Sequence, residues 1–503
     1  LAVGVLRAAV LPSLLSAAAL GRGASSERPP LRLFLEAASP DEGRAREALA
    51  RVADGWKDGY APLLVDLARF MRSARPAGPG SDEVPAFDDG DTRGAGPPGS
   101  AARGAFPDPA AAPLPPSARI RQRLVRFLEK QTGQRFGDDL RRWRRWYWSR
   151  PYDPHPEYAA FKAGLYSHVD PRMAAFFPEG AKEIIRLDEV DWGGVTVNGI
   201  PPLDHPKHVR AEEASYLKDK HVVFGVSLGG EARAYPKRIL AWHEMARDRL
   251  GGVELAVVYC TLCGTVIPYG AEVGGVVRTF GTSGLLYRSN KLMFDEESMS
   301  LWSTVEGKPV LGRLAGEPLE LRAYPVVTTT WREWRERHPG TTVLSLETGF
   351  KRDYGEGAAY REYFATDSLM FEVPRTDDQL KNKEEVLVLV VAPEGGGPGQ
   401  PVAVSVELLE KNRLYRLGVA GRTLVVVTSP DGANRVYDAT GAPGLARLLP
   451  GDLVESEGGP RYRVTEEALV PEGEGASPLP RLPARRAFWF GWQAQYPDTL
   501  LVK

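Results

Sequence analysis

The sequence predicts an α+β protein, with a small helical N-terminal region and a mainly β C-terminal region built from a degenerate internal duplication. Three observations carry this. Before about residue 188 apolar residues recur at three- and four-residue steps, as in Ala48, Leu49, Val52 and Trp56 and again in Leu63, Leu64, Leu67 and Phe70, which is the period of an amphipathic helix. After Asp188 the pattern changes to short β-branched runs punctuated by Gly and Pro, clearest at 222–228, 254–259, 276–280, 385–391 and 423–428. An ordered set of these runs then occurs twice. The first pass reads 221–226, 232–236, a helical stretch from Arg238, 252–260 and 292–295; the second reads 385–390, 401–405, 421–429 and 453–456.

In chain order, residues 1–26 read as a secretory signal: Arg7, the apolar run 8–20, and a small-residue exit near Ala17 to Ala19. The run is too short to span a bilayer comfortably, and no later segment is apolar for long enough to be a membrane helix. A periplasmic or secreted location is the expectation. Residues 31–73 form a helical region broken at Asp58-Gly59-Tyr60-Ala61-Pro62, and 74–117 have the Pro/Gly-rich composition of a linker or insertion. A second helical region spans 118–187, with Ile120, Leu124, Phe127 and Leu128 on one face. Its stretch from Leu128 to Asp139, with Trp143 and Trp146, resembles the tail of a HEAT-type helical repeat, a module that provides a surface rather than catalysis. The first β-rich copy occupies 188–350 and the second 351–503.

Sixty-four basic residues against sixty-five acidic ones leave a net charge of −1, so no global field draws nucleic acid or anionic lipid. The cluster Arg141, Arg142, Arg144 and Arg145 reads as a solvated helix face. There is no Gly-x-Ser-x-Gly elbow, no phosphate loop ending in Lys-Ser or Lys-Thr, and no dinucleotide fingerprint after a strand.

Cysteine occurs twice, in Tyr259-Cys260-Thr261-Leu262-Cys263-Gly264 directly after a strand. Two thiolates two residues apart, followed by a glycine that tolerates positive φ, suit a metal knuckle. In an oxidising compartment the same pair suits a redox disulfide, although residues 265–280 read as a hairpin, not the helix that a thioredoxin motif opens. A static disulfide is the plain alternative. One knuckle supplies only two ligands. His243, 17 residues before Cys260 with a helix end, a Gly251-Gly252 turn and one strand between, is the first choice for a third. Met293 would soften the site, and Asp204 could assist. A Cys, Cys, His and Met set favours copper over zinc. His205 and His208, in a Pro-rich loop, read as solvated. The aromatic run Phe488-Trp489-Phe490-Gly491-Trp492 reads as a closing core segment.

At these motifs the chain resembles the bacterial family called domain of unknown function 3179. The residues that carry the likeness are Gly199 to Lys207, Glu231 to Pro236, Trp242-His243-Glu244, Val258 to Cys263, Phe280 to Leu285, Leu292 to Asp295, Ser300 to Trp302, His338-Pro339 and Phe488 to Phe490. The resemblance covers about 188–503 and implies an extracytoplasmic bacterial setting with no established activity. Thr261 stands where the family has Pro, and His208 where it has an aromatic residue.

The expectation is therefore an exported protein that binds copper or zinc, or cycles a disulfide, at Cys260 and Cys263 with His243 and Met293. Its alternative is a non-enzymatic module that holds a small ligand or protein partner, with the two cysteines as a staple. An enzymatic role would be that of a metal-dependent or thiol oxidoreductase.

Overall fold

The computed structural model describes residues 28–71, 116–442 and 444–503. The signal-like segment 1–26, and nearly all of the stretch 74–117, lie outside the described residues. The chain forms two compact units. One contains residues up to Gly199 together with Leu311–Ala315, and the other contains Ile200–Val310 and Gly316–Lys503. Among the described residues no helix is long and apolar enough to cross a membrane.

The first unit is helical: α1 (Leu31–Ala37), α2 (Glu42–Asp54), α3 (Ala61–Arg69), α4 (Pro116–Thr132), α5 (Leu140–Trp148) and α6 (Tyr158–Ser167). Asp41 caps α2 by accepting from Arg44 N–H, and Asp139 caps α5 by accepting from Arg142 N–H. Pro62 sits in the first turn of α3, where its missing N–H costs no helical bond. The arginine cluster departs from a solvated face at one position. Arg144 is buried, stacks over Trp148 and pairs with Asp191. Asp191 also takes Arg69, while Lys162 donates to the Val190 carbonyl at 2.9 Å and pairs with Asp66 at 2.8 Å. Burial opposes the charge on Asp191, but Arg144, Arg69 and Lys162 outweigh it and hold the carboxyl down at about 2.

The second unit begins with strands β1 (Val222–Leu228) and β2 (Glu231–Pro236), helix α7 (Lys237–His243), and strands β3 (Met245–Leu250), β4 (Val253–Cys260) and β5 (Thr265–Gly270). An antiparallel set comes next, β6 (Phe280–Tyr287), β7 (Asn290–Asp295) and β8 (Leu301–Ser303), and then β9 (Val327–Thr330), α8 (Trp331–Arg337) and β10 (Thr342–Leu344). Residues 351–384 form an irregular connection with one short helix, α9 (Arg361–Phe364).

The same order then recurs. It runs β11 (Glu385–Val391), β12 (Gln400–Ser405), α10 (Val406–Lys411), β13 (Leu414–Val419), β14 (Arg422–Thr428) and β15 (Asn434–Asp438). A run of antiparallel strands from Leu445 to Leu482 intervenes, and the copy closes with β16 (Arg485–Phe488), α11 (Trp489–Gln495) and β17 (Leu500–Val502).

Strand order repeats with direction. The first sheet contains β9-β1-β2-β10 and the second is β16-β11-β12-β17; β10 lies parallel to β2 as β17 does to β12. The two-residue turns repeat as well. Gly251-Gly252 has φ of 55° and 80°, and Ala420-Gly421 has 52° and 77°, the left-handed pair that a tight hairpin requires.

Side chains repeat too. Trp334 donates its indole N–H to Thr341 Oγ1 at 2.8 Å, and Trp492 does so to Thr499 Oγ1 at 2.9 Å. The ring of His338 lies 4.1 Å from Trp334, and that of Tyr496 lies 4.4 Å from Trp492. Trp331 N–H bonds the His221 carbonyl and Trp489 N–H the Glu384 carbonyl, each just before the first strand of its copy. The duplication read in the sequence is thus present down to single hydrogen bonds. Each copy buries its own apolar face, around Phe224, Tyr235, Leu240, Val257 and Tyr259 in the first and Leu387, Val404, Leu409, Leu424 and Val426 in the second.

Candidate functional site

The Cys260 turn is the tip of a regular hairpin. β4 and β5 pair in continuous register from Leu255 with Gly270 to Cys260 with Thr265, leaving a four-residue loop. Gly264 closes the loop at φ 63°, and a Cβ there would stand 2.9 Å from the Phe488 ring, so only glycine fits. Cys260 and Cys263 are joined as a disulfide with Cα atoms 5.3 Å apart, and both are 1% exposed.

Cys260 and Ser429 stand at the same distance from their hairpin turns, which confirms their correspondence between copies. Each turn is seated on the helix of the opposite copy. Phe488 N–H donates to the Cys263 carbonyl at 2.7 Å, and Ser429 Oγ donates to Glu333 Oε2 at 2.5 Å. The second turn is polar, with Asp431 held by Thr330 and Arg332. Where the first copy has a disulfide, the second has hydroxyl and carboxylate contacts.

The expected ligand set is not assembled. His243 is fully buried at the end of α7, but its Nδ1 meets the Pro201 carbonyl at 2.9 Å and its Nε2 the Tyr354 hydroxyl at 2.6 Å. A carbonyl only accepts, so Nδ1 carries the proton and Nε2 accepts from Tyr354. Burial pushes the imidazole down to about 4, which keeps it neutral near pH 7. Met293 is buried in β7, opposite Trp302 and Thr282 in register. Asp204 is exposed and pairs with Arg247 at 3.1 Å. Among the described residues no group of three or more His, Cys, Asp or Glu could hold a metal ion. Sulfurs bonded to each other offer no thiolate, and both His243 nitrogens are engaged elsewhere. His208, expected in a solvated loop, is instead 3.0 Å from Asp248, which also accepts from Arg233 and Tyr235.

What the structure gathers around the disulfide is a strap formed by residues 350–371. Trp242 donates to the Asp353 carbonyl at 2.8 Å, His243 accepts from Tyr354, and Glu244 Oε1 accepts from Tyr360 at 3.2 Å. Tyr363 donates to the Leu262 carbonyl, inside the Cys turn, at 2.8 Å. Tyr363 and Phe371 also pack with Cys260, Leu262, Cys263 and Leu286. One strap therefore covers both the Trp242-His243-Glu244 and the Cys260–Cys263 motifs. Beneath it Lys291 donates to the Glu244 carbonyl at 2.8 Å, with its ammonium 3.6 Å from Glu244 Oε2. Burial pushes the Lys291 amine down, against the pull of Glu244. Sequence reading missed Lys291, Asn290 and the strap tyrosines. The recurrence of Tyr354, Tyr360 and Tyr363 within a Gly-rich stretch was the available signal.

The fold and site define a duplicated, β-rich unit with one buried disulfide hairpin under an aromatic strap. A family model described as protein of unknown function DUF3179 matches residues 197–499, and the chain belongs to that family. The match does not reach the helices of the first unit, so the HEAT-type likeness there gains nothing from it. No curated protein and no solved structure matches the chain.

Proposed function

We propose that this chain is an extracytoplasmic thiol–disulfide protein whose working group is the Cys260–Cys263 pair. The observation that carries the reading is where the bond lies. A disulfide closing so short a loop restrains the unfolded chain by only about 2 kcal/mol, and the register of β4 and β5 already fixes this turn. A staple is therefore of little use here, whereas two residues between cysteines is the spacing that lets a pair open and close. The strap packs over the cysteine turn and shields the sulfurs from bulk solvent, and reduction requires it to lift. The test is titration of the native protein in glutathione buffers with alkylation and mass analysis. Reversible two-electron reduction with retained fold supports the reading; a pair that stays oxidised until the protein unfolds sinks it.

A second reading is favoured by one feature, the four-residue loop with its positive-φ Gly264, which is the shape of a metal knuckle. In the reduced state Cys260 and Cys263 would supply two thiolates for copper or zinc, and His243 would join only by leaving Pro201 and Tyr354. Elemental analysis of natively purified, reduced protein tests it. Metal retained by the wild type and lost in Cys260→Ser and His243→Ala supports it, and metal-free protein that takes up no added ion excludes it.

A further inference from the structure

We infer that Cys263 is the sulfur released as thiolate when the disulfide opens, and that a small cavity beside it, lined by Thr265, Asn290 and Arg485, holds one water that serves this thiolate. The inference rests on the thiol–disulfide reading and gives its two sulfurs separate roles.

The two sulfurs have different surroundings. Cys263 lines a cavity of about 10 Å³ with Thr265, Asn290, Arg485 and Gly491, while Cys260 is not among the lining residues. Thr265 and Asn290 are 3% and 4% exposed. Thr265 Oγ1 and Asn290 Oδ1 nevertheless have no hydrogen-bond partner among the described residues. A buried polar atom left without a partner is destabilising, so two beside one cavity call for an occupant. The space suits a single water, and a buried water needs two to four polar partners.

The Asn290 amide is oriented by its own bonds. Nδ2 donates to the Arg288 carbonyl at 3.2 Å and the Gly491 carbonyl at 3.0 Å, which leaves Oδ1 as the free acceptor. Gly491 keeps the space open, because a Cβ there would stand 3.1 Å from Cys263 Cβ and 3.6 Å from Asn290 Oδ1. Arg485, anchored to the Val305 carbonyl at 2.7 Å, is the charged residue lining the cavity. Of the charges on neighbouring elements, Arg288 is bound to the Ala494 carbonyl, Glu306 accepts from Gln495, and Lys291 is turned to Glu244. Thr265, Asn290 and Arg485 thus share one small cavity with Cys263, whose sulfur also lies 3.6 Å from the Ser289 carbonyl.

Exchange begins when a thiolate of a partner dithiol attacks Cys260 Sγ, forming a mixed disulfide, and the electron pair of the broken S–S bond leaves on Cys263. The partner's second thiolate then attacks the partner's own sulfur in that mixed disulfide and frees the Cys260 thiolate, which takes a proton from solvent. The partner dithiol loses two electrons and the Cys260–Cys263 pair gains them.

The test uses full-length single-cysteine variants, following thiolate absorbance at about 240 nm against pH. In Cys260→Ser, the Cys263 thiolate should form with a midpoint about one pH unit or more below that of Cys260 in Cys263→Ser. Adding Thr265→Val to Cys260→Ser should raise the Cys263 midpoint, and Thr265→Ser should restore it. Equal or reversed midpoints, or no response to Thr265→Val in folded protein, would overturn the inference. If Thr265→Val does not fold, the order of the two midpoints decides alone. The redox reading fails separately, if the wild-type pair resists reduction in glutathione buffers, whatever the midpoints are.

Discussion

Phe488 donates its backbone N–H to the carbonyl of Cys263 at 2.7 Å, tying the end of the second copy to the disulfide turn of the first. Two glycines make this approach possible. Gly264 lies under the Phe488 ring at positive φ, whereas Gly491 has no unusual φ and is required only because Cys263 is so close. Gly264→Ala should cost about 2 kcal/mol or more, through left-handed strain and overlap with the ring. Gly491→Ala, whose neighbours can yield by a few tenths of an ångström, should cost less. Urea unfolding of both variants checks the order.

The disulfide itself should matter little to stability. Removing the cross-link by Cys260→Ser with Cys263→Ser should lower unfolding free energy by about 2 kcal/mol at most. A loss above about 4 kcal/mol would mark the bond as a structural staple and count against the redox role.

The strap should control access to the sulfurs. Tyr363→Phe keeps the ring but removes the hydroxyl that donates to the Leu262 carbonyl. Losing one such bond, about 1 kcal/mol, should raise the population of the lifted strap and speed reduction by dithiothreitol roughly fivefold. Stopped alkylation time courses read the rate. An unchanged rate would mean that the sulfurs are reached by another route.

His243 gives the second unit a specific acid sensitivity. Its folded value, about 4, lies below the ordinary 6.5, so between these values the unfolded chain binds a proton that the folded chain does not. Stability is therefore constant above about pH 6.5 and falls as the pH drops toward 4, by about 3 kcal/mol at most. Denaturant unfolding at pH 7, 5 and 4 should show this loss, and His243→Gln should flatten that part of the profile.

In the helical unit, Asp191 pairs with the buried Arg144 and the partly buried Arg69. Asp191→Asn leaves both guanidinium groups without this carboxylate and should destabilise by about 3–5 kcal/mol. Thermal unfolding checks it. Wild-type stability from this carboxylate is present above the ordinary 3.8 and is lost as the pH falls toward about 2.

Much of the fold was legible from local pattern. β11 occupies the residues 385–391 read as a strand, and β14 begins one residue earlier than the stretch 423–428. The pairing of Cys260 with Ser429 across the copies was also legible, because strand period and turn glycines are properties of neighbouring residues. The hairpin read over 265–280 shrinks to Glu272–Val273 against Val276–Val277 around Gly274-Gly275, since β5 pairs back onto β4 across the cysteine turn. Less visible was the repeated pattern at Trp331, Trp334 and Thr341 and at Trp489, Trp492 and Thr499, since few of the intervening residues are shared.

From sequence alone came the place of the proposed chemistry: one turn after a strand, carrying the two cysteines of the chain, in the first of two related copies. Only the tertiary structure decided what surrounds it. It joined the two sulfurs, and it gave His243 to Pro201, 42 residues away, and to Tyr354, 111 residues away. It also laid the strap across both motifs and set Asn290, Thr265 and Arg485 beside Cys263 alone. The physical reason is separation along the chain. Periodicity records which face of an element is buried, but the partner that a buried polar group finds is chosen by distant segments that meet only when the sheets pack.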